Sequence, residues 1–146
     1  MRRFAALFYD ALIIIAIEMI AAGIIVAVLM AGISLGVISY GHYIDAGDLL
    51  SNHPIWSPLF ALYLATVWVG FFSFFWIKAG QTLGMRAWRL QLVNQEGGKI
   101  TLTQALIRIA TSAFGLANLT VPLDPQKRGF HDMWAKTKVV VLPNTK

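Results

Sequence analysis

The residues able to carry chemistry are few, and most of them sit in apolar surroundings. Arg3, Asp10 and Glu18 follow one another at spacings of seven and eight, and the stretch beyond Asp10 is otherwise almost wholly apolar. At about 100° per residue, such spacings return each charge to one sector of a helix. Arg108 lies in a later, moderately apolar segment and is the natural ion-pair partner for these carboxylates, with Arg3 the other. A charge at the centre of a membrane helix costs about 2.5–3.5 kcal/mol on insertion scales. That cost selects for a partner, a water-filled cavity or protonation. The chemistry implied is an ion or proton relay. The plainer alternative is an ion-pair clasp that fixes helix packing, or a side chain that snorkels to the interface.

Other combinations of reactive residues fit known chemistry poorly. His42, Asp45, Asp48 and His53 share one polar connection, but their spacing matches no structural zinc pattern, so no metal site is expected. His131-Asp132, close to Arg128, has no accompanying serine or glycine-elbow nucleophile. Gly80-Gln81-Thr82-Leu83-Gly84 fits neither the P-loop nor the dinucleotide pattern and reads as a tight turn beside a helix end. The chain has no cysteine, which excludes disulfide scaffolds, thiolate metal sites and cysteine nucleophiles. No catalytic residue and no cofactor is expected, and the chain reads as non-enzymatic.

These side chains need elements to hold them, and composition says of what kind. Of 146 residues, 58% are hydrophobic and 13% charged, against about 45–50% and about 25% in soluble domains. An ordinary soluble domain, a disordered chain and a nucleic-acid-binding module are thereby excluded. The net charge of +5 reflects scarce acids more than a basic patch. Ala11 to Leu35 is almost continuously apolar, enough for the about 20 residues that a span requires. Met1-Arg2-Arg3 resembles the start of a signal peptide, but the run exceeds the usual h-region of about 7–15 residues and is interrupted by Glu18. The first helix is expected over 4–36. Residues 39–57 form a polar, turn-rich connection.

The second apolar run, Leu59 to Ile77, predicts a helix over 58–78, with Pro58 in its first turn. Trp56 and Trp76 at its ends suit the two interfacial belts, and Thr66, Gly70 and Ser73 read as helix-contact positions. Alternation at Trp88, Leu90 and Leu92, and again over Lys99–Leu102, flanks the turn Asn94-Gln95-Glu96-Gly97-Gly98. It predicts a β-hairpin over 86–102, to which Val139–Leu142 offers a third strand. Residues 103–121 read as a third helix ended by Pro122 and Pro125. Thr101, Gln104, Arg108, Thr111, Gly115 and Asn118 form its polar stripe, with Leu102, Leu106, Ile109 and Ala113 away from it.

The basic residues orient these elements. Arg2 and Arg3 open the chain, none lies in 39–57, and Lys78, Arg86, Arg89 and Lys99 follow the second span. The positive-inside rule then puts the N-terminus and 78–100 inside and 39–57 outside. A full third crossing would carry Lys127, Arg128, Lys136, Lys138 and Lys146 outside. A re-entrant or interfacial third segment keeps the tail 122–146 inside, and that reading is favoured over a plain third span.

Several of these residues together resemble the RDD family of bacterial membrane proteins, named for an arginine and two aspartates. Arg3 and Asp10 match the first two within Arg-Phe-Ala-Ala-Leu-Phe-Tyr-Asp, and Asp132 matches the third within Arg128-Gly-Phe-His-Asp-Met-Trp. Gly80-Gln81-Thr82-Leu83-Gly84-Met85-Arg86 looks like the family's central loop, although Met85-Arg86 stands where a lysine often follows the glycine. Gly98 to Arg108 looks like the start of its third hydrophobic segment. The stretch from Arg108 to Arg128 looks shorter than in many members. The resemblance implies a membrane protein and suggests a transport role, including cation/proton exchange.

The expectation is a small all-α membrane protein, a single domain over 1–146. It has two transmembrane helices, a third polar-striped helix and a small inner-face β-hairpin. It sits in the bacterial inner membrane with a cytoplasmic N-terminus. Its partners are the lipid bilayer and either a second copy or another membrane subunit, since two or three helices cannot enclose a pathway; no nucleic acid is involved. The function expected is proton-coupled ion or small-solute transport through a path lined by Asp10, Glu18 and Arg108. The alternative is a non-transporting accessory or scaffold protein in which Arg3, Asp10, Glu18, Arg108 and Asp132 act as structural clasps.

Overall fold

A computed structural model describes residues 2–112, 116–117, 119–121 and 128–143. In chain order the elements are α1 (Arg2–Ser34), α2 (Ala46–Asn52), α3 (Trp56–Ala79), α4 (Leu83–Ala87), β1 (Leu90–Asn94), α5 (Leu102–Ser112), α6 (Phe130–Trp134) and β2 (Thr137–Val141). The protein is mostly helical, and among the described residues α1 and α3 are the two helices long and apolar enough to span a membrane. Their most apolar windows are only 17% and 22% buried. The chain falls into two compact units, one of residues 14–68 and one of residues 1–13 with 69–146.

In the 14–68 unit, Leu29 of α1 packs with Ala46, Leu49 and Leu50 of α2, supported by Ile25, Tyr43 and Phe60. The acids of the polar connection make that short helix possible. Asp45 caps it, accepting the Asp48 N–H at 2.8 Å, while Asp48 accepts the Ile44 N–H at 3.0 Å and an Asn52 side-chain N–H at 2.7 Å. His53 Nδ1 faces the N–H groups of Ile55 (3.1 Å) and Trp56 (3.2 Å) at the start of α3. Capping by Asp and by other short polar side chains satisfies donors that a helix start leaves unpaired. Of the three expected contact positions on α3, Ser73 is buried. Thr66 donates its hydroxyl to the Leu62 carbonyl at 2.8 Å, and a Cβ at Gly70 would meet nothing within 4 Å.

In the other unit, a core of Ala6, Trp76, Met85, Leu90, Leu92, Ile100 and Ala105 joins the first turns of α1 to the end of α3, α4, β1 and α5. Trp76, expected at an interfacial belt, is buried in this core instead. The two-stranded sheet also differs from expectation. β1 pairs antiparallel with β2, Leu90 opposite Val141 and Asn94 opposite Thr137, and the local hairpin over 86–102 does not form. Two features explain this. The other edge of β1 is already occupied: Gly80 O accepts the Leu92 N–H at 2.7 Å, and the Gln81 side-chain amide donates to Leu90 O at 2.8 Å. Thr101 and Gln104 form a capping box, Gln104 N to Thr101 Oγ1 at 3.3 Å and Thr101 N to Gln104 Oε1 at 3.1 Å. That reciprocal pair starts a helix at Leu102 and overrides the period-two pattern.

α5 turns Ala105 and Arg108 inward and leaves Leu102 and Leu106 exposed. Ile109, expected away from the polar stripe, packs against the core. Of the expected helix 103–121, the positions Ala113, Gly115 and Asn118, and the stops Pro122 and Pro125, lie outside the described residues.

Candidate functional site

The site begins with Asp132, the third residue of α6 and completely buried. Its Oδ2 accepts the Gly129 N–H at 2.9 Å, so the carboxylate caps its own helix. The same oxygen takes Arg3 Nη1 at 2.6 Å, and Oδ1 takes Arg108 Nη1. Arg108 Nη1 also reaches Thr137 Oγ1 at 2.9 Å, and its guanidinium lies 5.3 Å from the Trp76 ring centre. One carboxylate thus ties together α1, α5, α6 and the start of β2. His131 lies beside it, Nε2 3.5 Å from Asp132 Oδ1.

The electrostatics follow from burial and these neighbours. Desolvation pushes the Asp132 carboxyl up, but the positive charge of Arg108, with His131 and Arg3, outweighs it and holds the group down at about 2. His131 is lowered to about 4, first by burial and then by the charge of Arg108, against the pull of Asp132. At neutral pH the cluster is therefore two guanidiniums, one carboxylate and a neutral imidazole.

Asp10 forms the second part of the site. It is buried, and its two oxygens meet the Thr82 hydroxyl and the Gly84 N–H, the latter at 2.9 Å. Thr82 Oγ1 in turn accepts the Met85 N–H at 3.2 Å and so caps α4. Gly84 has to be glycine: a Cβ there would overlap the Ala6 carbonyl and stand 2.9 Å from the Asp10 carboxylate. Gly80 (φ 66°) ends α3 in the left-handed region that glycine enters freely. The glycine-bounded loop is thus the receptor for Asp10. Arg3, Asp10 and Arg108 all border one cavity of about 70 Å³, between Trp76, Met85 and Leu90.

The structure brings Arg3, Arg108 and Asp132 into contact and sets Asp10 on the same cavity. It corrects the expected pairing: the carboxylate partner of Arg108 is Asp132, and Asp10 is held by a hydroxyl and a backbone N–H. Glu18 belongs to the 14–68 unit, where it lines an open apolar groove of about 450 Å³ with Ile14, Ile15, Met19, Ala22, Leu64 and Trp68. Among the described residues it has no hydrogen-bond partner for its buried Oε2. Among the described residues, no three His, Asp or Glu side chains converge on a metal position. Sequence reasoning missed Thr137 and Trp76, which touch Arg108. No local signal marks Thr137, since its role depends on a residue 29 positions away.

Two helices long and apolar enough to span a membrane, and a compact unit pinned by an Arg–Asp–Arg cluster, define a mostly helical protein. The chain belongs to the RDD family, whose family model matches residues 1–136, a stretch that includes Arg3, Asp10 and Asp132. No curated protein and no solved structure matches it.

Proposed function

We propose that this protein is a multi-pass protein of the bacterial inner membrane that serves as an accessory or scaffold module, with its Arg–Asp cluster as a structural clasp. The observation that carries the reading is the state of Asp132. It is wholly buried, engaged on both oxygens by arginines, and held near 2. A relay needs a group that gains and loses a proton at working pH. A permanently ionised carboxylate between two guanidiniums does neither.

Membrane insertion is supported by the exposed apolar side chains of α1 and α3, among them Phe8, Ile15, Met19, Ile20, Ile24, Leu59 and Leu62. A core helix of a soluble protein would bury them. The pairing of β1 with β2 and of Arg3 with Asp132 supports a common side for the N-terminus, residues 90–94 and residues 128–143. The basic residues favour the cytoplasm for that side. Cysteines introduced singly at Asn52, Lys99 and Lys136 test this. Asn52→Cys should label from outside in intact cells, and the other two only after permeabilisation. Outside labelling of Lys136→Cys overturns the arrangement.

A second reading, proton-coupled ion or small-solute transport, rests on Glu18, whose Oε2 is buried in an apolar groove with no hydrogen-bond partner among the described residues. Two spans cannot enclose a path, so this reading requires a homo-oligomer or a partner subunit. Proteoliposomes carrying a pH-sensitive dye separate the two. The accessory reading expects no cation-driven proton flux above that of empty liposomes. Flux that disappears in Glu18→Gln overturns it in favour of transport.

A further inference from the structure

α5 and α6 have inverted polarity. In α6 the inward residues are His131 and Asp132, at 2% and 0% exposure, and the outward ones are Phe130, Met133 and Trp134, at 43%, 42% and 62%. In α5, which packs on α6, Arg108 points in beside the small Ala105 and part-buried Ile109, while Leu102, Leu106 and Ile107 point out. Leu116 and Leu119, between the two helices in sequence, are exposed as well. A helix lying on water shows the reverse arrangement. The charges are equally one-sided. Among the described residues from 97 to 143 the only carboxylate is Asp132, buried and neutralised, whereas Lys99 before α5 and Lys136 after α6 are exposed.

We propose that α5 and α6 form a lipid-seated shelf: Phe130, Met133, Trp134, Leu102 and Leu106 dip into the interfacial region of the bilayer, and Lys99 and Lys136 contact anionic lipid phosphates. This inference rests on the membrane reading above. Aromatic side chains favour the headgroup level, and an apolar face flanked by lysines binds anionic surfaces through both contributions. The buried Arg–Asp cluster then serves as the polar filling that holds the apolar side chains outward.

The chain carries no cysteine, so Met133→Cys takes a single environment-sensitive fluorophore. It is reconstituted in phosphatidylcholine vesicles with and without phosphatidylglycerol. Lipids spin-labelled near the headgroup should quench the probe strongly, lipids labelled deep in the chain should quench it weakly, and aqueous iodide should fail to quench it. Adding phosphatidylglycerol should shift its emission to the blue, and Lys136→Gln should diminish that shift. A probe at Ile20→Cys, in α1, should be quenched by the deep label. If the Ile20 probe behaves so while iodide reaches the Met133 probe, the shelf is overturned and the spans stand. If the Ile20 probe is also reached by iodide, the membrane reading itself fails. Protection of the Met133 probe from both iodide and lipid labels means that a protein covers this face, which also overturns the shelf.

Discussion

Arg3 and Asp132 are separated by 129 residues, and their side chains lie 2.6 Å apart. The contact closes the beginning of the first helix onto the last segments of the chain. It does so in company with Arg108, so that one carboxylate faces two guanidiniums with side-chain exposures of 19% and 7%.

That difference in exposure orders the consequences of mutation. Removing one member of a buried ion pair leaves the other uncompensated, at a cost of about 3–5 kcal/mol. Asp132→Asn and Arg108→Gln should each lose stability of that order, seen as a fall in detergent melting temperature and loss of a monodisperse peak. Arg3→Gln should cost less, because water reaches Arg3 and Asp132 keeps Arg108. Equal losses at Arg3 and Arg108 would contradict the arrangement.

Two glycines give a matched pair. Gly84→Ala places a methyl group against the Ala6 carbonyl and the Asp10 carboxylate, and should destabilise by about 1–3 kcal/mol through overpacking. Gly23→Ala meets nothing within 4 Å and should be neutral or gain up to about 1 kcal/mol from helix propensity. Thermal melts of the two variants side by side measure the contrast.

His131 gives the pH dependence. Its folded value, about 4, lies below the ordinary 6.5, so between them the unfolded chain binds more protons. The stability it contributes is complete above about 6.5 and is lost as pH falls toward 4, a change of about 3 kcal/mol. Asp132, lowered from 3.8 to about 2, removes its own contribution only below that window. Chemical or thermal denaturation from pH 7 to 4 should show the decline, and His131→Gln should flatten it.

The strand pairing is open to a direct test. Leu92→Cys combined with Val139→Cys places two thiols at partner positions of the antiparallel ladder, and mild oxidation should join them. Failure to crosslink in a folded double variant would return β1 to a local hairpin. Thr101→Ala, which removes the cap that competes with that hairpin, should cost about 1 kcal/mol.

Much of the fold was readable along the chain. The two long helices follow from almost continuous apolar runs, expected over 4–36 and 58–78 and found at Arg2–Ser34 and Trp56–Ala79. A strand near Leu90 and another at Val139 were legible from alternation and β-branching. The local hairpin does not form because Thr101-Leu-Thr-Gln104 carries two signals at once, alternation and a capping box, and the second prevails. Asp10 and Arg108 are legible as charges in or beside apolar segments, whereas Asp132 is singled out by the family resemblance. Their partners were not, because helical spacing reports only which residues share a face of one helix.

The sequence by itself determined that residues 11–35 and 59–77 are almost continuously apolar, that Asp10, Glu18 and Arg108 fall within or beside apolar segments and would need compensation, and that the chain resembles the RDD family through Arg3, Asp10 and Asp132. Only the tertiary structure decided how that compensation is shared. Asp132 takes both arginines, Asp10 takes Thr82 and the N–H of Gly84, and Glu18 Oε2 has no hydrogen-bond partner among the described residues. The physical reason is range. Hydropathy and capping act within a few residues and leave marks in local order, whereas a buried ion pair is chosen by whichever charges the packed elements bring within about 3 Å.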